Sequence, residues 1–455
     1  MISIGAFDIK SQKRKGSNMK KIVSILVICA ISLSLFAGCG NASGKDSRQT
    51  SGDNSAAATQ AEPQVTSKEA KNVTLTHLTW RVPDVADAFD VFVKKYQDEH
   101  PNITMDIKNI ASDQYSNTLK TRLLSGDPPD IITTGAGSEY NSQVRNGYIL
   151  DITDEPMIEN IQPGTLSGSM VDGRIYGVPY DLVSLVVLYN KKIFADNGLK
   201  MPTNYPEMLQ VCETLKSNNI TPAAYGIKDS YVTQFLPYQI APTAVYAKNT
   251  NWDTDLTEGK VKFNSPEWKR TFAIPFDFQK KGYFTPNALG VGDQQSVEMF
   301  ARGDAAMTFT GTWAVSVARA ANPELDLGMF PFPANEPGEE AWMTMSLGQI
   351  MAISKTGKYI DEAKEYLAAW TNKDYAQLWT DRAKATSTIK GVNNNFDPSV
   401  NDLVPYLEKL KAWQFANVGW PAGVTELFIK KFQEVYTGKV TIDEMLDEMD
   451  KVVKK

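Results

Sequence analysis

The sequence predicts an α/β protein with a largely parallel sheet. Three observations carry this: strands and helices alternate from Asn72 onward, a chain breaker follows the second helix, and an amphipathic helix closes the far end. Val73, Leu75 and His77 alternate with Thr74, Thr76 and Leu78 as far as Trp80, the pattern of a strand, and Val85, Phe89, Phe92, Val93 and Tyr96 then recur at helical spacing. Ile103, Met105 and Ile107 mark a second strand. Tyr115, Leu119 and Leu123 mark a second helix, stopped by Gly126-Asp127-Pro128-Pro129, and Asp130-Ile131-Ile132-Thr133 is a short buried strand. At the other end Thr441-Ile442-Asp443-Glu444 is a capping box, opening a helix whose Ile442, Met445, Leu446, Met449, Val452 and Val453 share one face. In open α/β sheets ligands settle outside the carboxyl ends of the strands, so Trp80 to Asp84 and Thr134 to Glu139 are site candidates by position.

The 455 residues give room for two or three packed domains, and 42% hydrophobic with 22% charged residues is the composition of a chain that buries a core. No fixed repeat and no long linker divides the body after residue 71, so a second domain is interwoven with the first. Lys+Arg number 47 against Asp+Glu 53, for a net charge of -6, which leaves no electrostatic footprint for nucleic acid. Two histidines, His77 and His100, cannot build a His-rich zinc site, and the chain has no H-E-x-x-H, C-x-x-C or G-x-x-x-x-G-K-[ST]. No cofactor is expected.

Met19-Lys20-Lys21 precedes an apolar run from Ile22 to Phe36, the length of an export-signal core and short of a ~20-residue membrane span. Met19 is the expected initiator. The run ends in Leu35-Phe36-Ala37-Gly38-Cys39, which resembles the lipobox of bacterial lipoproteins, in which the Cys becomes the lipid-bearing first residue. Residues 1–38 are accordingly read as an N-terminal extension and signal peptide. Lys10, Lys13, Arg14, Lys15, Lys20 and Lys21 leave with them against Asp8 alone, so the remaining chain is more acidic still. Residues 39–71, the lipidated Cys39 and a stretch rich in Ser, Ala, Gly, Asp and Gln, lack apolar periodicity and are expected to be a flexible tether. With Cys29 removed and Cys39 acylated, Cys212 has no disulfide partner and is read as a small buried hydrophobe.

Further motifs resemble the extracellular solute-binding proteins of sugar uptake transporters, the group that contains maltodextrin-binding protein. They are Gly126-Asp127-Pro128-Pro129-Asp130-Ile131, Gly173-Arg174-Ile175-Tyr176-Gly177-Val178-Pro179 with Leu188-Tyr189-Asn190-Lys191, Phe300 to Met307, Gly311-Thr312-Trp313, and Ile353-Ser354-Lys355. The resemblance covers roughly Asn72 to Lys455. It implies a two-lobed periplasmic-binding-protein-like α/β fold with a ligand cleft between discontinuous lobes, 72–180 plus 348–390 in the first and 181–347 plus 391–455 in the second. It also implies a monomer on the extracytoplasmic face of a bacterial membrane, held by its lipid, which binds a carbohydrate and passes it to the permease subunits of an ABC transporter. Pro179 to Ser184 would be a hinge, since short element-terminal stretches absorb the rotation of closing lobes.

A sugar presents flat C–H faces and a rim of hydroxyls, so its site needs aromatic faces together with carboxylates or amides. Carried over position by position, the family's binding residues fall on Trp80, Arg81 and Asp84 after the first strand, and on Thr134, Gly137, Ser138 and Glu139 after the third. The others are Tyr180 and Asp181 at the hinge, Asp229 and Tyr231, Trp313, and Trp420, with Trp413 and Trp342 as weaker candidates. Asp84 reads equally as the N-cap of its helix, and Tyr231 also as a plain surface aromatic. Maltodextrin-binding protein has a Trp and an acid near Thr134 and Gly137, and their absence here argues for a different ligand register. Asp130 and Asn190 read as buried turn and cap contacts, and both histidines as structural.

Two further readings keep different classes open. A surface carbohydrate-active enzyme would use paired carboxylates about 5 to 10 Å apart, for which Asp84, Asp181 and Asp229 are candidates. The same fold could instead carry a metal ion or charged solute, against which stand the scarcity of His and the single basic residue, Arg81, near the loops.

Overall fold

A computed structural model of the protein describes residues 71–80, 82–394, 397–408 and 411–454. The expected export signal, Cys39, the tether as far as Ala70, and Arg81 lie outside these residues, as does the side chain of Asp84. Among the described residues no helix is long and apolar enough to cross a membrane.

The first three strands fall where the hydrophobic periods predict them, at Val73–Thr79, Ile103–Asn109 and Ile131–Thr134, separated by helices Val82–Glu99 and Ser112–Ser125. Gly126 ends the second helix in the left-handed conformation, φ 75°, where a side chain would be strained. Helical crossovers on this βαβαβ run make the three strands pair parallel, with Val73 opposite Ile103 and His77 opposite Ile131. Two more strands complete a five-stranded sheet in the order Ile103–Asn109, Val73–Thr79, Ile131–Thr134, Ile350–Ile353, Val178–Pro179. Both of these run antiparallel to their neighbours.

A second sheet holds four strands in the order Leu327–Phe330, Leu185–Asn190, Ala305–Gly311, Thr221–Ala224. Only Thr221–Ala224 pairs parallel within it. The sheets are thus mixed, which corrects the expectation of a largely parallel arrangement. The local βαβ crossovers fix only the first three strands as parallel, whereas Leu185–Asn190, Leu327–Phe330 and Ile350–Ile353 pair antiparallel with partners far away in the chain.

Each sheet has its own core. Leu185 and Val187 point into one hydrophobic cluster while Val186 and Leu188 point into another, which is why this strand is continuously apolar instead of alternating. On the first sheet Phe89, Phe92, Tyr366, Trp370 and Trp379 form an aromatic cluster, with Phe92 stacked on Trp370 at 4.0 Å between ring centroids. Between the sheets lies a small antiparallel one, in which Asp181–Val183 is flanked by Ser346–Leu347 and Thr386–Ser387. The chain passes directly from Val178–Pro179 in the first sheet through Asp181–Val183 to Leu185–Asn190 in the second.

The structural reading of the motif residues is borne out. The Asp130 carboxylate accepts the backbone N–H groups of Thr76 (2.9 Å), Lys358 (2.9 Å) and Tyr359 (3.2 Å), tying the third strand to the start of helix Ile360–Thr371. Asn190 caps the helix that follows it by accepting the Ile193 N–H at 3.0 Å, and Thr441 and Glu444 form the capping box. His77 is buried mid-strand with Nε2 2.8 Å from Thr133 Oγ1, and burial pushes its pKa down to about 3, so it stays neutral. His100 sits beyond its helix, Nδ1 2.9 Å from the Tyr96 carbonyl.

Cys212 lies in helix Tyr205–Ser217, fully buried, and desolvation pushes its thiol well above the ordinary range. With Cys29 and Cys39 replaced by serine, the folded protein is expected not to react with a thiol reagent and to react stoichiometrically in denaturant. Prompt labelling of the folded state would contradict this burial.

Candidate ligand-binding cleft

Two adjoining cavities, about 640 and about 370 Å³, share a wall made of Trp80, Ser112, Tyr231, Asp293 and Trp313. Together they reach the upper end of the ~300–1,000 Å³ range of small-molecule sites. Trp80 follows the carboxyl end of Val73–Thr79, Trp313 follows Ala305–Gly311, and Ser112 and Asp293 open helices Ser112–Ser125 and Asp293–Arg302. The wall is therefore built from strand ends and helix starts of both sheets, the position that an α/β sheet reserves for ligands.

The two indoles are held in different ways. Trp80 meets the Tyr115 ring edge-on at 4.4 Å, and the Tyr115 hydroxyl is anchored by donating to the carbonyls of Leu78 (3.1 Å) and Thr133. Trp313 lies on Gly311: a Cβ there would sit 2.0 Å from the indole Cζ3 and 2.2 Å from Cη2. Phe235 abuts the other parts of this wall, 5.5 Å from Trp313 and 5.8 Å from Tyr231 between ring centroids. A methyl group at position 311 must displace the indole, so Gly311→Ala is expected to weaken ligand binding by about tenfold or more, the ~1–3 kcal/mol of an overpacked site. Titration calorimetry measures this, and unchanged affinity would show that the position of the indole does not matter.

Polar groups surround the aromatic wall. Asp229 Oδ2 accepts the Asp293 N–H at 2.8 Å, and the Tyr231 hydroxyl donates to Asp293 Oδ2 at 3.2 Å, which joins three cleft residues into one network. The larger cavity is rimmed by the amides of Asn109, Gln114, Gln294 and Gln433 and by Lys228. The smaller one holds Thr134, Ser138 and Glu139 from one side and Asn417 and Glu426 from the other. Glu139 faces the water of the cleft and accepts from Ser116 Oγ at 3.0 Å. Enclosure by protein raises its carboxyl above the usual range, and the Glu426 charge adds to the rise.

Of the residues anticipated from sequence, Trp80, Thr134, Ser138, Glu139, Asp229, Tyr231 and Trp313 line these cavities, as does Gly137. Tyr180, Asp181 and Trp420 do not. Tyr180 is buried against Trp370 and Trp379 in the core of the first sheet, and its hydroxyl donates to Gln349 Oε1. Asp181 is one layer below the cleft: its carboxylate packs on Gly348, a cavity-lining residue, and accepts the Gln349 N–H at 3.1 Å. Trp420, 1% exposed, fills the second core between Tyr238, Phe263, Trp268 and Phe428. Trp413 stacks on Tyr246 and Trp342 lies beside Lys411, and neither lines a cavity.

The cleft residues absent from the sequence reading include the amides Asn109, Gln114, Gln294 and Gln433. Asn109 ends the second strand and Ser112 follows it, much as Trp80 follows the first, so the same positional rule would have found them. Gln433, on a face of helix Val424–Tyr436, carries no local signal. Among the described residues no group of three or more His, Cys, Asp or Glu gathers as metal ligands would.

Two α/β sheets joined through short strands, with an aromatic and amide-lined cleft at their strand ends, define the class of two-lobed binding proteins. The chain belongs to the bacterial extracellular solute-binding protein family, whose sequence pattern matches residues 82–377. It is 22% identical over 333 residues to the multiple sugar-binding protein of Streptococcus mutans, covering 70% of this chain and 77% of that protein. Among solved structures, a chitin oligosaccharide binding protein superposes with a TM-score of 0.75 at 23% identity, over 84% of this chain and 98% of the other. RafE in complex with raffinose superposes with a TM-score of 0.72 at 21% identity, over the same shares. These two likenesses establish the fold.

Proposed function

We propose that the protein captures a sugar or oligosaccharide between its lobes and delivers it to an ABC permease, without altering it chemically. The observation that carries this reading is the shared wall of the two cavities, where Trp80 and Trp313 offer aromatic faces beside the Asp293 carboxylate and the hydroxyls of Ser112 and Tyr231. Ring C–H faces stack on indoles and hydroxyls exchange hydrogen bonds with the polar rim. The names of the relatives point the same way. The lobes would be 72–180 plus 348–390 and 181–347 plus 391–455, moving about the strands Asp181–Val183, Ser346–Leu347 and Thr386–Ser387. Cys39 would carry the lipid that holds this monomer on the extracytoplasmic face of the bacterial membrane, with residues 40–71 as its tether.

A thermal-shift screen against mono- and oligosaccharides, amino acids, polyamines and metal ions tests the reading. A ligand present at about 100 times its dissociation constant stabilises by ~2.7 kcal/mol, which a melting curve resolves. One class of sugar is expected to raise the midpoint and to be recovered intact. A shift produced only by a charged solute or metal ion contradicts the cargo, and consumption of the sugar contradicts the non-enzymatic role.

A further inference from the structure

The turn Ala416–Gly419 bounds one side of the smaller cavity, with Phe415 and Asn417 in the lining. Its front meets the opposite wall: a Cβ on Gly137, whose φ of 128° favours glycine, would lie 3.4 Å from Val418 Cα. Its back rests on a carboxylate. A Cβ on Gly419 would lie 2.0 Å from Asp253 Oδ2, so the backbone there runs directly against that side chain. Tyr246 joins the two, its hydroxyl 2.9 Å from Asp253 Oδ1 and 3.4 Å from the Ala416 carbonyl oxygen.

A phenol has one proton to donate. With Asp253 ionised the charged acceptor takes it, because such hydrogen bonds are roughly twice as strong as neutral ones, and the Ala416 carbonyl goes without. With Asp253 protonated the carboxyl O–H donates to Tyr246 Oη, which turns the phenol proton to Ala416. Burial raises the Asp253 carboxyl from its ordinary 3.8 to about 6 against the opposing Tyr246 bond, and no charged side chain contributes among the described residues. Tyr246 is the titratable group that faces it from Pro242–Tyr246, and burial holds that phenol well above its ordinary range. The turn itself has none. On the helix of Asp253, Trp252–Thr257, Asp255 is turned to Asn249 and Lys260. From this chain of contacts we infer that Asp253 is a positioning residue of the cleft: its protonation, relayed through the orientation of the Tyr246 hydroxyl, fixes the turn from behind and so sets how firmly Phe415 and Asn417 face the ligand. The inference rests on the reading of the cleft as the capture site. Binding is then tightest in acid and weakens as pH rises through about 6.

Hydrogen–deuterium exchange of the unliganded protein over residues 415–420, where Val418 and Trp420 N–H groups donate to the Phe415 and Asn417 carbonyls, tests this from about pH 5 to about pH 7.5. Comparison with Asp253→Asn at each pH cancels the intrinsic pH dependence of exchange. Asparagine, which offers Tyr246 an N–H as the protonated acid offers its O–H, is expected to protect the turn throughout. The wild type should match it in acid and exchange about three- to tenfold faster at the upper pH, the worth of one hydrogen bond. Tyr246→Phe should lose this response. Each variant is checked by circular dichroism and its melting midpoint, and if Asp253→Asn fails to fold the comparison with Tyr246→Phe decides. Wild type and Asp253→Asn exchanging alike at every pH, or an undiminished response in Tyr246→Phe, overturns the inference. Calorimetric titration with raffinose, maltotriose and chitotriose at both ends of the range reads the ligand side. A trisaccharide that binds should do so about three- to tenfold more tightly in acid, relative to the same ratio in Asp253→Asn, which subtracts the titration of Glu139 in the same cavity. Equal ratios in the two proteins overturn the inference and leave sugar capture standing. The exchange response without binding of any of the three upholds the positioning role and counts against sugar capture.

Discussion

Replacing Trp313 with alanine is expected to raise the dissociation constant for the bound sugar about 30- to 150-fold, the ~2–3 kcal/mol of a central aromatic anchor. The indole belongs to both cavities, is seated on Gly311 and is braced by Phe235, so its position in the cleft is fixed before ligand arrives. A preset ring loses little entropy on binding, which is why its removal costs more than that of a mobile side chain. Trp313 also packs on two hydrophobic clusters of the second sheet, so some loss of unliganded stability accompanies the change. Trp313→Phe separates the two effects: it keeps an aromatic face and should recover much of the affinity. Titration calorimetry of the three proteins decides the matter, and wild-type affinity in Trp313→Ala would remove this residue from the site.

The opposite pattern is expected for Trp420. Its ring lies 5.0 Å from Phe263 and 5.4 Å from Trp268, edge-on to both, and is closed off from solvent. Truncation to alanine should cost ~3–5 kcal/mol, a large part of the ~5–15 kcal/mol by which a domain is stable. The melting midpoint is expected to fall by roughly 10 °C. Sugar affinity measured below that midpoint should change far less than in Trp313→Ala. A variant that melts normally but loses ligand would return Trp420 to the cleft.

These two tryptophans show what a sequence can and cannot disclose. Both follow a small residue in a loop, Thr312 and Gly419, and both read as aromatic faces offered to a ligand. What separates them is the surrounding fold. Strand Ala305–Gly311 ends at the cleft, whereas the turn at 416–419 drops Trp420 onto helix Pro266–Lys280 and helix Val424–Tyr436. Burial of that kind depends on partners far away in the chain. The same holds for the sheets: the parallel βαβαβ run was legible because each strand and crossover lies in one local stretch. The antiparallel arrival of Ile350–Ile353 beside Ile131–Thr134 depends on a partner more than two hundred positions away. Position relative to strand ends was the most productive rule for the site, yielding Trp80, Thr134, Ser138 and Glu139. Asp181 read as a ligand contact at an expected hinge, yet it lines neither cavity and its carboxylate is used on the Gln349 N–H under Gly348. Gln433 stayed hidden because an amide on a helix face is also what an ordinary solvated surface contains.

The central claim is that a sugar is held between two lobes that close on it, and small-angle X-ray scattering with and without the sugar selected by thermal shift tests it most directly. Closure about the three short strands near Asp181 should reduce the radius of gyration when the sugar is added to the wild-type protein, and leave it unchanged in Trp313→Ala at the same sugar concentration. A sugar that binds tightly while the radius of gyration stays the same, or that compacts Trp313→Ala equally well, would contradict capture in this cleft.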